Sequence, residues 1–254
     1  MKLERIQPIT LIYWGLASMG LAMIAGIYGT TLPIFYQDYL GLSARWISIA
    51  SIIYAAWNAV NDPLFGFVTD NTRSKLGRRI PYLRFTAPFL ALTFFLIWMV
   101  PTEAEKPRIF LWMLVTMLLY DTCFTIIGLV QSALLPELSE YEEDRSALQM
   151  STALFNLLGF VLGFIIPQIF RPKGGEALGP MRLAMLAAGL VGAALILLLS
   201  YQVRERPALT EGKPKLSFRE YLAYTFTSKA ALVIIAGNFM RIFVQAVTMG
   251  AVFY

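Results

Sequence analysis

The chain has 254 residues, 57% of them hydrophobic and 15% charged, with a formal net charge of +5. Soluble domains carry about a quarter charged residues, so this composition excludes an ordinary soluble fold and points to a membrane protein. There is no histidine and one cysteine, Cys123, which excludes histidine-based catalytic triads, imidazole proton shuttles and an intrachain disulfide.

Taken in chain order, the apolar stretches run over residues 6–37, 46–69, 85–102, 109–136, 146–170, 183–203 and 230–254. Each is near or above the roughly 20 residues that a helix needs to cross about 30 Å of hydrocarbon, and all are too continuously apolar for barrel strands. Seven helical spans are therefore expected. The first is too long for the core of a cleavable signal and lacks a clear small-residue cleavage site. With the N-terminus inside, fourteen Lys and Arg fall on inner segments and six on outer ones. That bias favours a cytoplasmic N-terminus in a plasma (inner) membrane, with the basic charge meeting anionic lipid headgroups rather than nucleic acid.

The second span carries the first candidate site. Asn58, Asn61 and Asp62 are spaced three and four residues apart, so they share one helix face, with Tyr54 a turn earlier. Pro63 follows and frees the backbone carbonyl of Ala59. A carboxylate, two amide oxygens and a carbonyl form a hard-oxygen set suited to a small cation, and an ionisable side chain in a span is a functional candidate by default. The plain alternative is that Asp62 only hydrogen-bonds its polar neighbours. Beyond it, Asp70 precedes a basic loop with Arg73, Lys75, Arg78 and Arg79 around Gly77.

The fourth span contains Asp121, one turn before Thr125 and on the same stripe as Gly128. Arg241 lies at a comparable depth of the seventh span, so the two charges are candidates for a pair. Gly159 and Gly163 form a GxxxG pattern in the fifth span, the mark of close helix packing. The acidic segment Glu137, Glu140, Glu142, Glu143 and Asp144 reads as a solvated turn capping the fifth span, with a role in holding the basic loop as the alternative. Residues 204–229 form the longest polar segment and read as a central cytoplasmic linker between a six-helix bundle, residues 1–203, and the first helix of a second half, residues 230–254.

The run NDPLFGFVTDNTRSKLGRRIPYL, residues 61–83, resembles the second helix and following loop of the glycoside, pentoside and hexuronide cation symporters, the melibiose-carrier family of the major facilitator superfamily. ALLPELSEYEEDRSALQMSTALF, residues 133–155, is similar to that family's junction of helices four and five, and Gly41, Leu42 and Ser43 to its junction of helices one and two. The resemblance implies an all-α polytopic membrane protein. It would comprise the N-terminal six-helix bundle of a major facilitator and the start of helix seven, completed by a C-terminal half of the same transporter or by a partner membrane chain.

The resemblance also implies a cation site at Asp62, Asn61 and Thr125, with sodium or a proton as coupling ion and no other cofactor. Asn58 stands where the family has a first carboxylate, so one formal negative charge is missing there. The family's two sugar-gripping carboxylates fall at Ala22 and Gly128, neither of which is acidic. Asp121, Tyr120 and Arg241 are the remaining candidates for substrate contact, and Asp70, Arg73, Arg78 and Arg79 for a gating latch. The expected function is cation-coupled transport of a sugar or related small polar solute, not catalysis. A lysolipid or amphiphile carrier of the same fold and a non-transporting half-size membrane subunit are the alternatives.

Overall fold

Backbone surrounded by hydrocarbon has no water to bond, so a span must satisfy its own amides, and the helix does so segment by segment. The computed structural model describes residues 5–172, 178–203, 205, 217–229, 232, 233, 235–237 and 240, among which there is no strand. The first six expected spans are helices: α1 Pro8–Ile34, α2 Ala44–Asn71, α3 Ile80–Trp98, α4 Lys106–Leu138, α5 Glu142–Ile169 and α6 Gly179–Gln202. Pro8, Pro81, Pro107 and Pro180 open four of them, at first-turn positions whose amides have no intrahelical acceptor. A π-helical turn, Phe35–Tyr39, extends α1.

Five of these helices are long and apolar enough to cross a membrane, so the chain is a multi-pass membrane protein. The 28-residue α2 is not among the five, because Ser48, Ser51, Asn58, Asn61 and Asp62 dilute its hydropathy. Its expected span at 46–69 is met in length and missed in composition. Most of the expected seventh span lies outside the described residues. Within the segment read as a linker, a short helix α7, Phe218–Thr227, forms. Its start is a reciprocal capping box: the Ser217 amide donates to Glu220, and the Glu220 amide donates to the Ser217 hydroxyl. These contacts hold the Glu220 carboxyl below the usual carboxylate range. The chain divides into two compact units, Met1–Glu211 and Gly212–Tyr254.

In the first unit α1 packs on α5 and α6, α3 packs on α4 and α6, and α2 packs on α4. Trp14, Phe35, Tyr36, Phe94 and Trp98 are fully buried between them. Where helices end inside the bundle, side chains supply the missing partners. Arg182 of α6 donates to the carbonyls of Trp98 and Val100, each at 3.0 Å, and closes the C-terminus of α3. The Tyr36 hydroxyl donates to the Ile97 carbonyl at 2.7 Å.

The contact of α1 with α5 depends on the absence of side chains. A Cβ on Gly163 would stand 2.7 Å from the Met23 carbonyl oxygen, and one on Gly159 would collide with the Met19 carbonyl. Both obstacles are backbone, which cannot rotate away. Gly159→Ala is therefore expected to cost about 1–3 kcal/mol, the usual range for overpacking, whereas Gly29→Ala, with open space around it, should leave thermal stability in detergent near wild type. Equal melting temperatures for the two variants would refute this account of the α1–α5 seam.

Candidate functional site

The polar face of α2 meets α4. Asn61 is 1% exposed and Asp121 is 3% exposed. The Tyr54 hydroxyl donates to Asp121 Oδ1 at 2.8 Å, and Asn61 Nδ2 donates to Asp121 Oδ2 at 3.1 Å. One helical turn along α4, the Thr125 hydroxyl donates to Asp62 Oδ1 at 3.3 Å. Asn58 is half-buried and lies within hydrogen-bonding reach of Tyr54. Asp62 itself is exposed at the surface of the described helices.

Asn61 Oδ1 is buried and has no hydrogen-bond partner. Buried polar atoms are almost always paired, so an orphaned acceptor next to two carboxylates marks a place where positive charge fits. Asp62, Asn61 and Thr125 carry carboxylate, amide and hydroxyl oxygens, the ligand type preferred by alkali cations. Asp62, Asn61 and Thr125 would hold such an ion, with Asn58 beside them. Among the described residues no group of three or more His, Cys, Asp or Glu side chains is placed to hold a metal.

On another side of α4 lies a cleft of about 330 Å³ between α1, α4 and α5. Ala22 and Gly128 line it, together with Ser18, Gln131, Thr152 and Asn156. No charged side chain lines it. Gln131 Nε2 donates to the Ser18 hydroxyl at 2.7 Å, and the Trp14 indole donates to the Thr152 hydroxyl at 2.8 Å. Trp14, Phe124 and Phe160 add aromatic surface. Hydroxyls and amides that can both donate and accept, set against aromatic rings, suit a neutral solute rich in hydroxyls.

The cleft and the Asp62–Thr125 contact share α4, since Phe124 precedes Thr125 and Gly128 lies one turn beyond it. Asp121 and Tyr120 are not among the lining residues. Asp121 belongs to the α2–α4 seam, and Tyr120 is buried with its ring stacked on Tyr28 at 4.6 Å between centroids. Arg241, the expected partner of Asp121, lies outside the described residues.

The basic loop forms a third cluster. Arg79 donates to Asp70 at 2.8 Å and through Nε to both oxygens of Glu137 at 3.1 Å. Arg78 also pairs with Glu137. Glu137 is 5% exposed, so within the acidic segment this residue is no solvated turn but the centre of the loop's ion pairs. Arg73 is exposed and takes no part in the described ion pairs. Glu205 accepts from the backbone amides of Arg78, Arg79 and Ile80 at 2.6, 2.5 and 2.8 Å, capping α3. Gly77 permits this approach. Its φ is +105°, and a Cβ there would stand 2.6 Å from the Glu205 carboxyl carbon.

Sequence reasoning did not single out Ser18, Gln131, Gln149, Thr152 or Asn156. A signal existed: Gln149, Thr152 and Asn156 recur at helical spacing along one stripe of an otherwise apolar span.

A family model described as MFS/sugar transport protein matches residues 13–254. The chain is 26% identical over 248 residues to the uncharacterized symporter YnaJ of Bacillus subtilis (strain 168), covering 95% of this chain and 53% of that protein. It is 32% identical over 139 residues to sodium-dependent lysophosphatidylcholine symporter 1 of Xenopus tropicalis, covering 54% and 26% of the two chains. It is 27% identical over 178 residues to the putative glycoside/cation symporter YagG of Escherichia coli (strain K12), covering 69% and 38%. The matched regions thus span about half or less of these curated relatives.

Proposed function

Because the chain belongs to the MFS/sugar transport protein family, we propose that it forms the first part of a cation-coupled secondary transporter that carries a neutral, hydroxyl-rich solute, a sugar or a close analogue. The relatives are named as symporters, so the chain serves transport and not catalysis. The observation that carries the reading is the shared helix: α4 offers Thr125 to Asp62 on one side and Phe124, Gly128 and Gln131 to the cleft on another. An ion bound against α4 changes the energy of the same helix that forms a wall of the cleft, which is the requirement for coupling two ligands. Sodium is the first choice of ion and a proton the second. The side of the bundle carrying the basic loop is taken as cytoplasmic, in a plasma membrane.

In alternating access the solute site is completed by a second half, and the ion pairs of Asp70, Arg78, Arg79 and Glu137 form on one side in one state and part in the other. This reading takes 203 and 229 as the limits of the linker between the two halves. A lysolipid substrate is the second reading, favoured by the similarity to a lysophosphatidylcholine symporter and by the apolar part of the cleft, Leu21, Ala25 and Leu135.

The test is uptake by the full-length protein in vesicles, with neutral glycosides and lysophosphatidylcholine offered under imposed sodium or proton gradients. Gradient-driven glycoside uptake is expected. Gln131→Leu should raise its KM by about fivefold, the worth of one neutral hydrogen bond near 1 kcal/mol. Uptake of lysolipid alone would establish the second reading, and no gradient-driven uptake of either would refute both.

A further inference from the structure

The α2–α4 seam holds a charge that its described surroundings do not balance. Asp121 is 3% exposed, and its partners are a tyrosine hydroxyl and an asparagine amide, both neutral. No Lys or Arg among the described residues pairs with it. Two neutral hydrogen bonds satisfy geometry, but a carboxylate removed from water also needs a positive charge close by or a proton of its own. The amide that donates to Asp121 through its nitrogen presents, on the same carbon, the buried oxygen Asn61 Oδ1, which has no donor. An acceptor without a donor and an anion without a cation stand side by side.

Resting on the proposed cation coupling, we infer that Asp121 supplies the second anion of the cation site from α4, replacing the carboxylate that position 58 of α2 lacks. The ion's ligands then come from both helices: Asn61 Oδ1 and the Asp62 carboxylate from α2, and the Asp121 carboxylate from α4. The Thr125 hydroxyl, already bonded to Asp62, sits one turn from Asp121 and orients the α2 carboxylate. Two anions around one monovalent cation leave a net charge of −1, tolerable because Tyr54 and Asn61 donate to it.

The relocation has a mechanical consequence. With both anions on α2, an ion neutralises charge within one helix. With one on each, it pulls α2 and α4 together. Without the ion, Asp62 and Asp121 repel across the seam, and α4 carries the cleft residues Phe124, Gly128 and Gln131 with it. Sodium would thereby favour one placement of the solute wall.

The experiment follows the thermal stability of the purified full-length protein as sodium is titrated at constant ionic strength, with choline as the replacing cation. A bound ion raises stability in proportion to the logarithm of its concentration over Kd, so Kd is read without any transport. Asp121→Asn should weaken apparent sodium affinity at least tenfold. Asn58→Asp combined with Asp121→Asn returns an anion to α2 and should recover most of that loss. A purely structural Asp121 would give no such recovery.

Wild-type sodium affinity in Asp121→Asn, or a double variant no better than the single one, would overturn the inference. So would restored transport on exchanging Asp121 and Arg241 while Asp121→Asn keeps its sodium response. If Asp62→Asn loses the response and Asp121→Asn does not, the inference alone fails. If the wild type shows no sodium response, sodium coupling fails with it.

Discussion

Asp62→Asn in the full-length protein is expected to abolish gradient-driven solute uptake while leaving the protein folded. Asparagine keeps the shape of the side chain and an oxygen that can still accept from Thr125 at the 3.3 Å contact, so packing against α4 should survive. What disappears is the negative charge. Two unit charges at about 4 Å in partly screened surroundings attract with roughly 4 kcal/mol. Because Asp62 is exposed, about half of that is a fairer figure, which corresponds to a loss of about thirty-fold in cation affinity. Uptake driven by the cation gradient then falls to background at ordinary sodium concentrations. Asn58→Ala removes only a neutral amide, and its effect should stay within a few-fold. The measurement is initial uptake rate against imposed gradient, and Asp62→Asn transporting at the wild-type rate with unchanged gradient dependence would remove Asp62 from the coupling site.

The six long helices were legible because each hydrophobic run is long enough to span hydrocarbon and is closed by charges or prolines. Residues 146–170, for example, became Glu142–Ile169, extended at the front by acidic residues that suit a helix N-terminus. α2 shows the limit of that reasoning. Counting uncharged residues makes 46–69 a span, but its polar face lowers its hydropathy, and that face is what makes it a candidate site. α7 was missed because a polar segment with two prolines reads as linker, although Ser217 and Glu220 carry the capping-box spacing.

Within the site, the face shared by Asn58, Asn61 and Asp62 followed from helical periodicity alone. The partner across the seam did not, because periodicity says which residues share a face and nothing about which helix that face meets. Depth alone pairs Asp121 with Arg241, which lies outside the described residues; the contacts with Tyr54 and Asn61 are not readable from depth or periodicity. The cleft was legible at Ala22 and Gly128 only through family resemblance. Small residues announce space but not its chemistry, which here belongs to Gln131, Ser18 and Thr152.

Glu137→Gln should destabilise the protein more than the glycine-seam change Gly159→Ala does. Glu137 lies at the end of α4 with its side chain 6% exposed, and it faces the guanidinium groups of Arg78 and Arg79, themselves 13% and 8% exposed. Glutamine keeps the shape and one acceptor oxygen but leaves two enclosed cations with Asp70 as their only described acidic partner, and that residue is 40% exposed. Breaking a buried pair from one side costs about 3–5 kcal/mol, because the remaining charge has lost its water as well as its partner. Arg5 and Glu143 form a comparison at 2.8 Å with exposures of 66% and 74%. Arg5→Ala should cost no more than about 1 kcal/mol, as exposed pairs do. Thermal unfolding of the two variants in the same detergent separates the cases: a deep fall in melting temperature for Glu137→Gln and a marginal one for Arg5→Ala are expected. If Glu137→Gln melts with the wild type, the buried pairs do not hold the α2–α3 loop to α4, and the latch would have to rest on Glu205 and its three backbone bonds to the start of α3.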